Sequence, residues 1–235
     1  MKDSSLKVVS KLPDQKRQIE FYNEIFSSKQ NHWAKDLNRT FDNLFADTII
    51  GNYDSKNHKR FLEIGCGDGR FFDVAFEKIK ELGLELNAID YCPNAVELAK
   101  KENWPVKFIC DDYLRWSDKQ EKFDIIYSSG VFEHFEDIEL ALRQTKNILS
   151  SNGFFLLSVP NCLGYDINKD DQAEGFRELN GGSRQVEWHL KLETWKRIIE
   201  EAGFSGVFYK GFDERIGFTW ILKNNQKEES TGVFS

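Results

Sequence analysis

The sequence has no C-x-x-C pair. Its four cysteines, at positions 66, 92, 110 and 162, show neither metal-like spacing nor the pattern of a disulfide framework. No apolar run approaches the length of a membrane span, and residues 1–16 are polar and charged, without the apolar centre of a secretion signal. Basic residues are outnumbered: 32 Lys and Arg stand against 39 Asp and Glu, a net charge of −7. That balance argues against a nucleic-acid partner, because phosphate-backbone affinity needs clustered Lys and Arg. The expectation is a cytoplasmic protein with no membrane partner, whose cysteines are small buried hydrophobes.

Aromatics are plentiful: 20 Phe, 7 Tyr and 6 Trp among 235 residues suggest a core built on rings and an aromatic-lined pocket. The length suits one α/β domain with an appended segment. Residues 1–18 read as a flexible N-terminus. From 19 to 58, apolar residues at Ile19, Tyr22, Ile25 and Phe26, then at Trp33, Leu37, Phe41, Leu44 and Phe45, recur at helical spacing. This segment is too short for a core of its own, so it serves as cladding or as a lid on the main domain. Residues 59–222 then alternate short apolar runs with helical patterns. Strands are expected at Arg60–Gly65, Leu84–Asp90, Val106–Cys110, Phe123–Ser128 and Phe154–Val159. Helices are expected from Arg70 to about Leu82, after Pro93, and over Ile138–Leu149. Repeated β-α-β units imply a parallel sheet with helices on both faces. From 160 to 187 the pattern lapses into a polar, glycine-bearing insertion. A further helix ends at Gly203, two strand candidates follow, and 223–235 reads as a tail.

The run Phe61-Leu62-Glu63-Ile64-Gly65-Cys66-Gly67-Asp68-Gly69 passes from a strand into a helix. Its glycines allow close backbone approach to a ligand and leave helix N–H groups free to meet it. A dinucleotide fingerprint wants G-x-G-x-x-G, but here the third place is Arg70. At the tip of strand two stands Asp90, about 20 residues on, where an acid can accept both hydroxyls of a ribose; the plainer alternative is a helix-initiating Asp. At the tip of strand three, Asp111 and Asp112 offer a carboxylate and neighbouring N–H groups to an adenine. Strand four ends in Ser128-Ser129-Gly130-Val131-Phe132-Glu133-His134.

These runs, in this order, resemble class I S-adenosylmethionine (SAM)-dependent methyltransferases of the small-molecule type, over about residues 60 to 159. Trp188-His189-Leu190 and Ala202-Gly203-Phe204 are similar to their later part. The resemblance implies a three-layer α/β/α Rossmann-like fold, with seven strands mostly parallel and the last antiparallel. It implies a cofactor, SAM, released as S-adenosylhomocysteine (SAH). Gly65, Cys66 and Gly67 would border its methionine portion, with Glu63 holding that loop. Asp90 and Tyr91 would lie at the ribose, Asp112 or Asp111 and Tyr113 at the adenine, and Ser129, Gly130 and Val131 along the cofactor. The partner implied is a small polar methyl acceptor, met by a monomer or a homodimer.

Methyl transfer asks the protein to align the reactants and exclude water, and a base helps where the acceptor is a hydroxyl. His134 and His189 are the candidate bases, each with a structural alternative; His32 and His58 read as solvated. Tyr22, Trp33, Tyr165, Phe176, Arg177, Arg184 and Trp188 are candidates for the acceptor pocket, the two arginines suiting an anion. The turn after strand four carries no [DNS]-P-P-[YF] run, no Pro-Cys nucleophile and no ligand acids of the catechol type, so no metal is expected. O-methylation of a sugar, nucleotide-linked or other biosynthetic metabolite is the first expectation. N-methylation and tRNA modification follow. A nicotinamide-dependent oxidoreductase and a non-catalytic SAM-binding protein are the competing classes.

Overall fold

The alternation in the sequence becomes a single wound sheet in the computed structural model, which describes residues 15–27, 35–161, 174–178, 186–208 and 217–224. In chain order the elements begin with α1 (Gln15–Ser27), α2 (Lys35–Asn52), β1 (Arg60–Ile64), α3 (Arg70–Ile79), β2 (Glu85–Asp90) and α4 (Pro93–Lys100). They continue with β3 (Val106–Cys110), α5 (Tyr113–Ser117), β4 (Phe123–Ser129), α6 (Ile138–Ile148) and β5 (Leu149–Pro160). The last are β6 (Gly175–Glu178), β7 (Val186–His189), α7 (Leu192–Glu201), β8 (Phe204–Phe208) and β9 (Gly217–Asn224). Single 3-10 turns sit at Lys80–Leu82 and Phe132–His134.

The main sheet has seven strands in the order β3-β2-β1-β4-β5-β9-β8. β1 to β5 pair in parallel, and β9 runs antiparallel to both of its neighbours. The order reverses between β1 and β4, and ligands of such sheets bind at that crevice beyond the strands' carboxyl ends.

Period-two alternation divides the core between the two faces. Leu62 and Ile64 of β1 join α6 and α7 through Ala141, Leu142, Trp195 and Ile198. Phe61, one residue away, joins α2 and α3 through Phe45, Ile49, Phe71 and Phe72. Burying each such ring contributes about 1.5–3 kcal/mol. On α2 the buried positions Asp42, Phe45, Ala46 and Ile49 keep helical spacing, which is how a segment with no core of its own is held.

Several expectations are corrected. Cys110 is exposed because β3 is an edge strand, whereas Cys66 and Cys92 are buried. His58 is not solvated: it is 4% exposed, its Nδ1 accepts from the Asp54 N–H, and its Nε2 lies 3.0 Å from the Asn152 carbonyl oxygen. β5 begins at Leu149, directly on the end of α6, rather than at Phe154. The 160–187 stretch contains strand structure, since β6 pairs with β7 as an antiparallel ribbon. The short helix α5 had no periodic signal; Asp112 caps it, accepting from Leu114 N–H at 2.8 Å. Helix α1 starts at Gln15 and β9 extends to Asn224. Among the described residues, no helix is long and apolar enough to cross a membrane, and no group of three or more His, Cys, Asp or Glu is arranged to hold a metal ion.

Candidate active site

The glycine turn rides on the tip of β2. Gly65 and Cys66 both donate their N–H groups to the Ile89 carbonyl oxygen, at 2.8 and 3.1 Å. Gly65 has φ +75°, and a Cβ there would stand 2.2 Å from Val131 Cγ2, so the turn after β4 packs directly on the bare backbone. Gly67 donates its N–H to Asp90 Oδ2 at 2.8 Å. Asp90 Oδ1 accepts from the Cys92 N–H, also at 2.8 Å. One carboxylate thereby braces both the glycine turn and the start of α4, with the Tyr91 N–H as a further backbone partner.

Acids crowd beneath this turn. Glu63 is 5% exposed, and its Oε2 has no hydrogen-bond partner. Burial first, then the neighbouring carboxylates of Asp42, Asp90 and Asp68, push its carboxyl well above the usual value; the Arg70 guanidinium opposes them. Burial also raises Asp90, Asp42 and Asp68. Arg70, in the place a third glycine would take in a dinucleotide turn, has Nε 3.0 Å from Asp42 Oδ2 and so joins α3 to α2. A cradle with this many acids and one such cation suits a positively charged ligand and opposes a pyrophosphate. An ammonium and a sulfonium, the two positive centres of SAM, match that charge, and Glu63 Oε2 is a buried acceptor in need of a donor.

At the β3 tip the two acids differ. Asp112 Oδ1 is occupied as the cap of α5. Asp111 Oδ1 accepts from the Asp112 N–H at 2.8 Å and pairs with Arg115, which holds its carboxyl below the usual range. Tyr113 turns its ring into the core, where its hydroxyl lies 2.7 Å from Thr145 Oγ1. Burial pushes the Cys66 thiol up, and its Sγ faces the Gly67 carbonyl.

The turn after β4 is tied down from both sides. Ser128 Oγ donates to the Ile64 carbonyl oxygen at 3.0 Å, and Gly130 N–H donates to Ser158 O at 3.0 Å, beside the Ser129–Ser158 register pair. Helix α1 lies across these strand tips. Its Tyr22 ring meets Tyr91 and His134 edge-on, with centroids 6.0 and 6.2 Å apart. Asn23 Oδ1 accepts from Asn94 N–H at 3.3 Å, in the first turn of α4. Phe26 roofs Gly67, its ring 3.3 Å from where a Cβ would be. The β6–β7 ribbon closes the other side: Trp188, 3% exposed, donates its indole N–H to Phe135 O at 2.8 Å. His189 is 8% exposed, with Nε2 3.3 Å from Glu187 Oε1.

Glu63, Gly65, Cys66, Gly67, Asp90, Tyr91, the Asp111–Tyr113 run and Ser129–Val131 are thus brought to neighbouring strand tips, with Tyr22 over them. His134 and His189 flank the same turn. Trp33, Tyr165 and Arg184 lie outside the described residues, as do the side chains of Phe176 and Arg177 on β6. The sequence reading passed over Asp42, Phe26 and Asn23, whose roles depend on where α1 and α2 dock. It also passed over Glu133 and Glu187; each is adjacent in sequence, or next but one, to a histidine it singled out.

Comparison with known proteins agrees with this geometry. The family model described as "Methyltransferase domain" matches residues 27–207. The ubiquinone biosynthesis O-methyltransferase of Bartonella quintana is 30% identical over 184 residues, covering 73% of this chain and 68% of that protein. Polyketide synthase PksM of Bacillus subtilis is 26% identical over 192 residues, of which this chain spans only 4% of the length. Among solved structures, the plantazolicin methyltransferase BamL, in complex with a triazolic desmethylPZN analog and SAH, aligns with TM-score 0.61 at 18% identity, covering 88% of this chain and 96% of that one. The DhpI–SAH complex aligns with TM-score 0.61 at 15% identity, covering 90% and 97%. The seven-stranded order agrees with those folds, and the chain belongs to the class I SAM-dependent methyltransferases.

Proposed function

We propose that this chain holds SAM in the glycine turn and directs its methyl group to the hydroxyl oxygen of a small polar acceptor. The observation that carries the reading is the acid-rich cradle with the orphaned Glu63 Oε2 at its centre. When bound, SAM supplies a methyl carbon already activated by the attached positive sulfur.

The chain's own residues do the rest. Asp90 meets the ribose while its backbone bonds brace the turn. Glu63 takes the amino group, and the backbone from Asp111 to Tyr113 borders the adenine. Helix α1 acts as a lid: Phe26 and Tyr22 close over the turn and exclude water. Where the acceptor is a hydroxyl, its proton would have to leave on methylation, and His189 or His134 would take it. The relative from Bartonella is named an O-methyltransferase, which favours oxygen over nitrogen.

Titration calorimetry with SAM, SAH and NAD tests the first step. SAM and SAH are expected to bind and NAD to be refused; NAD binding as tightly as SAM would overturn the cradle argument. Release of SAH on addition of hydroxyl-bearing and amine-bearing metabolites then identifies the acceptor atom.

A further inference from the structure

The β4 turn and the β6–β7 ribbon bring together side chains far apart in sequence. Glu133 lies in the 3-10 turn and is 2% exposed; Glu187 and His189 lie on β7 and are 6% and 8% exposed. As residues i and i+2 of a strand, Glu187 and His189 share a face. The Trp188 bond to Phe135 fixes β7 against the turn that carries Glu133. His134 Nε2 is 3.6 Å from Glu133 Oε1, and His189 Nε2 is 3.3 Å from Glu187 Oε1 without the alignment of a hydrogen bond.

Three atoms in this cluster are buried and unmatched: Glu133 Oε2 and both ring nitrogens of His189 have no hydrogen-bond partner. Buried polar groups are normally paired, so a locus where donor and acceptor capacity are both unspent calls for a ligand that supplies both. The cluster also adjoins the cofactor cradle. Val131 packs on Gly65, and Glu133 Oε1 lies 3.6 Å from where a Cβ on Gly130 would stand.

We infer that Glu133 and His189 form the acceptor subsite, and that it accepts a neutral or cationic hydrogen-bond donor, a hydroxyl or an amine, and refuses an anion. The inference deepens the methyltransferase reading and rests on it. A hydroxyl donates to the unprotonated nitrogen of the His189 ring, which as base takes that proton; an ammonium donates to Glu133 Oε2 and gains from both carboxylates. A carboxylate or phosphate would meet Glu133 and Glu187 with like charge. Burial chiefly, and Glu187 next, already push the Glu133 carboxyl upward, the mark of a site short of positive charge. Tyr22 of α1 lies edge-on to His134 beside the cluster.

Three probes that share one phenol and differ only in their tail test this: tyramine with an ammonium, tyrosol with a hydroxyl, 4-hydroxyphenylacetate with a carboxylate. Each is titrated into the full chain saturated with SAH, with affinity from calorimetry and location from the ring 15N signals of His189. Tyramine and tyrosol are expected to bind at least about tenfold more tightly than 4-hydroxyphenylacetate, and to move the His189 signals. Glu133→Gln should shrink that preference to about threefold or less. Glu187→Gln serves as the second variant should the first fail to fold, and should act in the same direction. Equal or tighter binding of the anion, no shift of His189 with any probe, or an unchanged preference in both variants would overturn the subsite. Failure to bind SAH at all would instead sink the methyltransferase reading, so the two failures are distinguishable.

Discussion

The Gly67 N–H and the Asp90 carboxylate are joined at 2.8 Å, a hydrogen bond that crosses from the glycine turn to the tip of the next strand. Through its other oxygen Asp90 also holds the Cys92 N–H at the head of α4. The acid is therefore both a brace for the cradle and a candidate ribose contact. Asp90→Ala removes both functions at once. SAH affinity should fall by about 2–4 kcal/mol, as expected for losing charge-assisted bonds and the loop geometry they keep. Calorimetry reads this directly, and unchanged affinity would take Asp90 out of the site.

Gly67 sets the second prediction. Its φ is +54°, and Phe26 stands 3.3 Å from the position of a Cβ. Gly67→Val would strain the backbone and fill the space between turn and lid, so SAH binding should be lost while circular dichroism stays native. Phe26→Ala should do something different: it opens the roof without touching the cradle. SAH should then dissociate faster in stopped-flow measurements, with folding retained. If both variants release SAH at the native rate, α1 is cladding and not a lid.

Buried acids set the pH dependence. Burial raises Glu63 and Glu133 well above their ordinary 4.5, and Asp90 above its ordinary 3.8. The folded chain therefore holds protons that the unfolded chain has already released. That stabilisation is full below the ordinary values and is lost as pH rises through the raised ones. The ligand-free protein should melt at a higher temperature at about pH 5 than at about pH 8. Glu133→Gln should flatten the slope, and saturating SAM should flatten it too by supplying positive charge to ionised acids. A ligand-free melting temperature that climbs from pH 5 to 8 would contradict the sign.

Much of this was legible in the residues. Strand three was read at its observed limits, Val106–Cys110, and the α6 positions Ile138, Ala141, Leu142, Thr145 and Ile148 are all buried as their spacing requires. Gly203, read as a helix end, and Gly83, just past the helix expected to about Leu82, both take positive φ. What escaped depends on tertiary placement. The β6–β7 ribbon is short, glycine-bearing and polar, so period two barely registers in it. His58 carries no local sign that Asn152, far along the chain, will pair with it. Asp42 sits on the buried face of a helix as an acid, a choice that makes sense beside Arg70. Arg70 in turn looked merely like a missing glycine, although its ion pair with Asp42 joins α3 to α2.

His189 carries the last prediction. It lies on β7, held to the turn after β4 by the Trp188 indole bond to Phe135, and it stands beside Glu187 rather than within the glycine turn. On the proposed reading, a residue so placed serves the acceptor and not the cofactor. With an acceptor identified by SAH release, His189→Ala should lower kcat by about 10²–10⁴-fold, the usual contribution of a positioned general base. SAH affinity should change little, because Gly67, Asp90 and Glu63 are untouched. Trp188→Phe separates proton transfer from mere support. It keeps the imidazole but removes the bond that fixes the strand, so KM should rise more than kcat falls, and the pH profile should keep its shape. If His189→Ala instead weakens SAH binding while turnover per bound SAM is preserved, the imidazole belongs to the cofactor pocket and the proton leaves by another route.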